Sequence, residues 1–220
     1  GAGMSVDSGV KDFRSRSGWW RNIDPRTVAT VEALEGNYDL FHDFYSMRIE
    51  ALDGIRPHAG YEALHRWPNV ARIATQNVDG LHLAAGGVAV SELHGTIHKF
   101  RCHACGRPAG KEHFLAKERC PCGGWLRPNV VLFGEPLPEK PWNEALKAIG
   151  SADAVLVIGT SLQVYPVNQL PRLSRGRLIL LNKEETGMEG IFHTVLLFGA
   201  MEGLLAIDRW LREDEAQPPR

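Results

Sequence analysis

The sequence contains no long apolar run and no excess of charge of either sign, and both absences exclude classes of function. Lysine and arginine total 25 residues against 26 acidic residues, so the formal net charge is −1 at pH 7. No overall positive field is therefore available to attract a nucleic acid or an anionic membrane. The apolar stretch Ala154–Ile158 is far too short to cross a bilayer. We expect neither nucleic acid nor membrane as a partner, and the sequence leaves the oligomeric state open.

Cysteine is also scarce, and all four cysteines lie in one short segment as Cys102-x-x-Cys105 and Cys120-x-Cys122. Four thiolates in two close pairs can close a tetrahedron around one zinc ion. The alternatives are two disulfides, buried thiols without a metal, or a site in which His98, His103 or His113 replaces one thiolate. Because no apolar targeting stretch is visible, we expect a cytoplasmic protein with reduced cysteines. A closed four-sulfur site predicts a structural role for the zinc ion.

Four apolar runs predict strands that are buried on both faces, as in a parallel sheet covered by helices. These runs are Val70–Thr75, Ala154–Ile158, Leu178–Leu181 and Val195–Phe198. Helical patterns lie between them at Pro25–Glu35, Asp39–Leu52, Ala59–Arg66, Trp142–Ile149 and Gly203–Arg212. With 220 residues, of which 44% are hydrophobic, the chain can bury one substantial core and a small second module. The pattern predicts a doubly wound α/β fold with its ligand beyond the carboxyl ends of the strands.

The chain opens with a glycine-rich turn of the kind that follows a strand, and we expect a strand before it. Glycines at Gly1 and Gly3 let backbone amides approach a pyrophosphate, and Ser5 and Ser8 add hydroxyl groups. A glycine pair alone also opens many turns that bind nothing.

Read onward, the string from Gly1 to Arg14 resembles the opening motif of the sirtuins, the NAD-dependent protein deacylases. Later blocks match the family in the same order: Thr75–His82, Leu93–Gly95, the four cysteines, Arg127–Glu135 and Gly159–Leu162. The resemblance covers essentially the whole chain and is strongest to the desuccinylase-type branch of bacteria and mitochondria. It implies a discontinuous Rossmann-like NAD-binding domain (1–15, 68–97 and 127–220), a cofactor loop with the helical part of a small domain (16–67), and a zinc module (98–126).

The resemblance implies a reaction that couples loss of nicotinamide from NAD to transfer of an acyl group from lysine to ADP-ribose. The acyl oxygen attacks the ribose carbon that loses nicotinamide, and a histidine then deprotonates a ribose hydroxyl, which attacks the resulting imidate. By motif match this catalytic histidine is His94. An imidazole suits this role because its unperturbed pKa of about 6.5 lies near the working pH. For any histidine considered alone, a structural role is the usual alternative.

The resemblance also assigns the residues that bind NAD. Gln76 and Asn77 would hold the ribose and the base, and Asp79 would accept a hydrogen bond from the nicotinamide carboxamide. The other assigned residues are Gly1, Ala2, Gly3, Ser5, Ser8, Asp12, Phe13, Arg14, Trp20, Gly159, Thr160, Ser161, Asn182 and Glu184. Residues 16–20 would form a loop that closes over NAD, with Gly18 as a hinge. Without the family context, Asn77–Gly80 is typical of a simple turn.

On the substrate side, the resemblance assigns Val131, Phe133, Gly134, Glu135 and Val164. Val131 and Phe133 would line an acyl-lysine tunnel, for which ordinary core packing is the alternative. The backbone around residues 134–137 and 162–164 would pair with the substrate chain as an added strand.

Two residues bear on the identity of the acyl group. Tyr45 and Arg48 match a pair found in the branch that removes succinyl and malonyl groups, and on a helix they share one face. Arg16 argues against that branch, because simple deacetylases often have arginine there. We expect deacetylation with some removal of acidic acyl groups. The alternatives are an NAD glycohydrolase or ADP-ribosyltransferase on the same scaffold, and an inactive sensor of NAD or acyl-lysine.

Overall fold

The fold combines parallel β-strands and covering helices with a smaller antiparallel module. The structure is a computed structural model that describes residues 1–10 and 25–215. The helices are α1 (Pro25–Val28), α2 (Val31–Gly36), α3 (Tyr38–Glu50), α4 (Ala59–Arg66), α5 (Leu81–Ala85), α6 (Lys111–Leu115), α7 (Glu139–Ser151) and α8 (Ala200–Glu215). The strands are β1 (Ile73–Thr75), β2 (Val90–Glu92), β3 (Gly95–Cys102), β4 (Pro108–Ala109), β5 (Leu126–Val130), β6 (Ala154–Ile158), β7 (Arg177–Asn182) and β8 (Thr194–Leu197). Short 3-10 turns lie at Ala2–Met4, Val6–Ser8, Val167–Leu173 and Glu189–Ile191.

The parallel strands form two groups. β6, β7 and β8 lie side by side in that order, with Leu156 of β6 opposite Ile179 of β7. β1 and β2 form a separate parallel pair, with Ala74 opposite Ser91. Parallel neighbours require crossover connections: α5 lies in the connection between β1 and β2, and the 3-10 turns Val167–Leu173 and Glu189–Ile191 lie in those between β6, β7 and β8. The predicted α/β class is confirmed.

Two hydrophobic clusters cover these parallel strands. The first joins α4 and α8 to β7, and Leu181 and Leu204 are fully buried in it. The second joins α7 to the turn Val167–Leu173 and to Leu93, which directly follows β2. Since Leu93 immediately precedes His94, this second cluster fixes the backbone at a predicted site residue.

The antiparallel module is built around β3, which lies between β4 and β5. Its core also includes α3, whose buried face carries Tyr38, Phe41 and Tyr45 at helical spacing. Tyr38 stacks on Trp125 with 4.0 Å between ring centroids, and its hydroxyl donates to the Leu126 carbonyl at 2.7 Å. Aromatic packing therefore attaches α3 to the cysteine-containing segment.

The differences from the predicted elements have local causes. The predicted helix Pro25–Glu35 is two helices, because Thr30 is extended (φ −126°, ψ 160°) and its side chain accepts the Ala33 N–H as the N-cap of α2. Strand β1 begins at Ile73 and β8 begins and ends one residue earlier than predicted. Strands β2 to β5 are not predicted from continuous apolar runs, because they are short or, like β3, carry polar residues between apolar ones.

The longest helix in the described residues, α8, has 16 residues and a charged C-terminal half. No helix within residues 1–10 and 25–215 has the length and apolar character needed to cross a membrane.

Candidate active site and metal centre

Predicted site residues from two strand ends meet the N-terminal turn at one edge of the parallel strands. Residues 76–79 follow β1, and residues 159–161 follow β6. The Gly1 nitrogen donates to the Ile158 carbonyl at 2.8 Å, and the Gly3 N–H donates to the Gly159 carbonyl at 2.9 Å. The arrangement places the glycine-rich turn at the carboxyl end of β6, where ligands of open α/β sheets bind.

Glycine is required at the contact between the two loops. Gly159 has φ of +57°, and a Cβ there would lie 2.4 Å from the Met4 nitrogen. A Cβ on Gly3 would lie 2.9 Å from the Gly159 Cα. Any side chain would separate the loops, so the glycines let the two backbones pack directly into a cradle at the strand end where a dinucleotide phosphate is expected.

Ser5 is the centre of a buried hydrogen-bond network beneath this cradle. Its hydroxyl donates to Asp79 Oδ2 at 2.6 Å and lies 2.9 Å from the Tyr61 hydroxyl. Asn77 Nδ2 donates to Ser5 Oγ at 2.9 Å and to the Gly1 carbonyl at 3.0 Å. Asp79 Oδ1 accepts the Leu81 N–H at 3.0 Å. Ser5, Asn77 and Asp79 therefore hold the turn and the β1 loop in one fixed arrangement.

His94 contacts the loop after β1 and the loop after β5. Its Nδ1 is 3.2 Å from the Gln76 carbonyl, and its own carbonyl accepts the Val131 N–H at 2.9 Å. A carbonyl can only accept, so Nδ1 carries the proton of the neutral ring and Nε2 keeps its lone pair. Burial lowers the pKa of His94 below its usual 6.5, and the hydrogen bond to Gln76 opposes this only in part. The ring is therefore a neutral base at pH 7.

The loop after β5 is shaped by a buried ion pair between Arg127 and Glu135. Arg127 is fully buried, and its Nη1 and Nη2 donate to the two carboxylate oxygens at 2.6 and 2.8 Å. Arg127 also donates to the Val130 carbonyl, and Glu135 accepts the Leu132 N–H. Both ends of the loop are thus fixed while Phe133 remains 47% exposed. The Glu135 carboxylate is engaged by the protein itself.

Tyr45 and Arg48 lie on α3 and face the same region. The Arg48 guanidinium carbon is 5.8 Å from the Tyr45 ring centroid. Burial lowers the pKa of Arg48 to about 10, although the charge of Asp79 acts to raise it. Burial raises the pKa of Tyr45 to about 12, and the charges of Arg48, Arg127 and Glu135 act on the same hydroxyl. At pH 7 the pair therefore consists of one cation and one neutral hydroxyl.

The remaining predicted residues are distributed around this centre. Thr160 Oγ1 accepts from Gln76 Nε2 at 3.4 Å, which links the loops after β6 and β1. Ser8 Oγ accepts the His58 N–H at 3.0 Å, so its hydroxyl supports a neighbouring loop. Ala2 is exposed in the first 3-10 turn, whereas Ser161, Val164, Val131 and Gly134 lie in the loops already named. Asn182 ends β7 and donates to the Glu184 carbonyl. Asp12, Phe13, Arg14, Arg16, Gly18 and Trp20 lie outside the described residues.

The four cysteines converge as the spacing predicts. Their Sγ atoms all lie within 4.8 Å of one another, with 3.5 Å between Cys102 and Cys122 and 3.7 Å between Cys105 and Cys120. A zinc ion with Zn–S bonds of about 2.3 Å needs sulfurs about 3.8 Å apart, whereas a disulfide needs about 2.05 Å. All four cysteines are free thiols, which fits one structural zinc ion.

Glycine is also needed beside the sulfurs. A Cβ on Gly124 would lie 2.7 Å from the Sγ of Cys102. None of the histidines proposed as substitutes is needed, because His98, His103 and His113 have hydrogen-bond partners of their own.

Three residues of the site have no role in the sequence-based prediction: His58, Tyr61 and Arg127. His58 Nε2 lies 2.8 Å from the Met4 carbonyl oxygen, and the Tyr61 hydroxyl lies 2.9 Å from Ser5 Oγ. Both belong to the start of α4, where helical periodicity alone gives no sign of contact with the N-terminal turn. Arg127 begins a recognised motif, but its burial depends on a partner eight positions later.

Comparison with known proteins agrees with this geometry. The sequence profile of the Sir2 family matches residues 1–166. A protein of Halalkalibacterium halodurans described as an NAD-dependent protein deacetylase is 42% identical over 203 residues, covering 89% of this chain and 86% of that protein. An NAD-dependent protein deacylase of Mycobacterium tuberculosis is 40% identical over 204 residues, covering 86% of each. A solved Sir2 homologue variant in complex with 2′-O-acetyl ADP-ribose superposes with a TM-score of 0.92 at 31% identity, covering 100% of this chain and 92% of the other.

Proposed function

This chain belongs to the Sir2 family, and from this premise we propose that it removes acyl groups from protein lysines in an NAD-dependent reaction. The products are nicotinamide, O-acyl-ADP-ribose and free lysine. The relatives named as NAD-dependent deacetylases and deacylases support this activity, and the glycine cradle fits the cofactor they use.

The observation that carries the mechanism is the position of His94. Its Nδ1–H donates to the Gln76 carbonyl in the loop after β1, while its own carbonyl accepts the Val131 N–H in the loop after β5. Nε2 is therefore the basic atom of a ring held between the two loops that we assign to NAD and to the acyl-lysine. Its lowered pKa keeps that atom unprotonated at pH 7.

Bound NAD supplies a ribose carbon that becomes electrophilic as nicotinamide departs, and the acyl oxygen of lysine is its nucleophile. With NAD bound, Nε2 of His94 would accept the proton of the ribose hydroxyl that takes up the acyl group, and one water molecule would be consumed as the amide C–N bond breaks and the lysine amine leaves. The Ser5, Asn77 and Asp79 network orients the loop that carries Gln76. Arg127 and Glu135 fix the backbone that receives the acyl-lysine. The zinc module acts through folding, since its four sulfurs leave no open coordination position.

The direct test follows an acetyl-lysine peptide by mass spectrometry with and without NAD. We expect loss of the acetyl group only when NAD is present, and His94→Ala should abolish turnover while calorimetry still detects NAD binding. Turnover by the His94→Ala variant at the wild-type rate would remove His94 from its assigned role.

We further propose that Tyr45 and Arg48 allow acidic acyl groups, such as succinyl and malonyl, beside acetyl. The support is their shared position on α3, with 5.8 Å between the Arg48 guanidinium carbon and the Tyr45 ring centroid, and a half-buried guanidinium that a carboxylate would stabilise. Arg48→Met should reduce kcat/KM for a succinyl-lysine peptide at least about tenfold, because a charged hydrogen bond is lost. Deacetylation should change little, and Arg48→Lys should restore only part of the loss. Equal losses for acetyl and succinyl peptides would contradict the assignment.

The domain division and the location complete the proposal. Residues 1–15, 68–97 and 127–220 would act as the NAD-binding domain, with 16–67 and 98–126 as the smaller part. The four free thiols suit a reducing cytoplasm.

A further inference from the structure

A cavity of about 420 Å³ lies on the antiparallel module, beside the site described above. Its lining includes Lys99 and Arg101 of β3, Lys111 of α6, His98 and Asn129. Among the described residues that line it, three carry a permanent positive charge and none is acidic. The lining therefore selects for an anionic group, although the chain as a whole has a net charge of −1.

The protein balances these positive charges only in part. Lys111 Nζ lies 3.3 Å from Asp53, but both side chains are exposed, and exposed ion pairs are weak. Arg101 is 4.0 Å from Glu135, whose carboxylate is already held at 2.6 Å by Arg127. Glu92 lies within electrostatic range of Lys99, and the Glu112 carboxylate lies beside Gly110 of the lining. Within residues 1–10 and 25–215, however, Lys99 has no carboxylate oxygen within 4.0 Å.

Lining residues of the cavity are linked to the loops after β1 and β5. His98 Nε2 is 2.8 Å from the Asp79 carbonyl in the loop after β1. Arg101 approaches Glu135 in the loop assigned to the substrate, and Asn129 lies two positions before Val131. Under the proposed function the substrate polypeptide contacts the loop after β5, and Arg101 and Asn129 place the cavity next to that loop.

We propose that this cavity binds an aspartate or glutamate side chain of the substrate polypeptide, at a position away from the modified lysine. The inference rests on the proposed deacylase function and adds a preference for acidic flanking sequence. Carboxylate is the anionic group that a polypeptide substrate carries in its own side chains. The exposure of His98, Lys99 and Lys111 suits a side chain presented by a macromolecule better than an enclosed small ligand. A free anion such as inorganic phosphate has related chemistry, and the experiment separates the two sources.

The experiment measures kcat/KM for a set of acetyl-lysine peptides in which an acidic pair moves one position at a time along a neutral background. One placement should raise kcat/KM about fivefold over the neutral peptide, in line with a few exposed charge contacts. Raising the ionic strength should remove this preference while leaving the neutral peptide unaffected. Lys99→Gln should reduce the preference, and Lys99→Glu should convert it into discrimination against the acidic peptide.

Lys147→Gln is the matched control, because Lys147 is an exposed lysine on α7, outside the cavity lining. It should keep the full preference, and all three variants should turn over the neutral peptide at the wild-type rate. If every acidic placement matches the neutral peptide, the inference fails while the deacylase function stands. A second outcome would also overturn the inference. In it, no peptide preference exists, and at fixed ionic strength inorganic phosphate inhibits the wild type but not Lys99→Gln, which would show that the cavity binds a free anion. Absence of turnover with every peptide would instead contradict the proposed function.

Discussion

Replacing Arg127 by methionine tests how the substrate loop is held. The change removes a fully buried guanidinium and leaves the Glu135 carboxylate without its hydrogen bonds from Arg127 at 2.6 and 2.8 Å. Breaking a buried ion pair by removing one partner costs about 3–5 kcal/mol. Since the Glu135 side chain retains 19% exposure, we expect the lower end of this range, about 3 kcal/mol.

The measurement is thermal and denaturant unfolding of Arg127→Met, Glu135→Gln and the double variant. A loss of about 3 kcal/mol in a chain of this size corresponds to a fall in Tm of about 6–12 °C. The double variant should lose less than the sum of the two single losses, because removing both charges leaves neither one buried and unpaired. KM for the acyl-lysine peptide should rise, while NAD affinity should be nearly unchanged.

Lys117→Met serves as the matched control, because it breaks an exposed ion pair with Asp39. It should leave Tm almost unchanged. An Arg127→Met variant as stable as this control, or strictly additive losses in the double-mutant cycle, would refute the reasoning.

Three further predictions concern the cofactor side and the metal. A plot of kcat/KM against pH should be flat near neutral pH and fall on the acid side, with an apparent pKa below about 6.5. The reason is that burial lowers the pKa of His94 and protonation removes its basic lone pair. An apparent pKa above about 6.5 for this fall would contradict the assignment. Asn77→Asp replaces a donor to Gly1 and Ser5 by a second carboxylate beside Asp79, so calorimetry should show NAD binding weakened about tenfold, and unchanged affinity would exclude the network from a supporting role. Removal of zinc by a chelator should lower Tm, and restored zinc, but not added magnesium, should recover it; an unaltered Tm in protein shown to be metal-free would exclude structural zinc.

The parts of the fold that depend on local sequence are predicted well. The run Ala154–Ile158 coincides with β6, and the pattern Ala59–Arg66 coincides with α4, because hydrophobic periodicity and capping act within a few residues. The cysteine cluster also follows from spacing alone. The antiparallel module is harder to predict, since burial along β3 is irregular, its register against β5 shifts between Thr96 and Phe100, and β5 is a distant segment.

In the candidate site, too, features that depend on local sequence are predicted and contacts that depend on tertiary packing are not. The motifs place His94, Gln76 and Gly159 near one strand edge, and the structure brings them together there. The contacts of Tyr61 with Ser5 and of Arg127 with Glu135 depend on tertiary packing, so periodicity gives no sign of them. The structure also places the Glu135 carboxylate in an ion pair and leaves Phe133 half exposed, whereas the motif alone suggests direct roles for both side chains.

The central claim is that His94 directs the acyl group from lysine to the ribose of NAD. The most direct test is a product balance, in which mass spectrometry quantifies nicotinamide, O-acyl-ADP-ribose and deacylated peptide from a single reaction. Our account predicts the three products in equal amounts. Nicotinamide accompanied by free ADP-ribose, with the peptide still acylated, would contradict it and would instead indicate NAD hydrolysis.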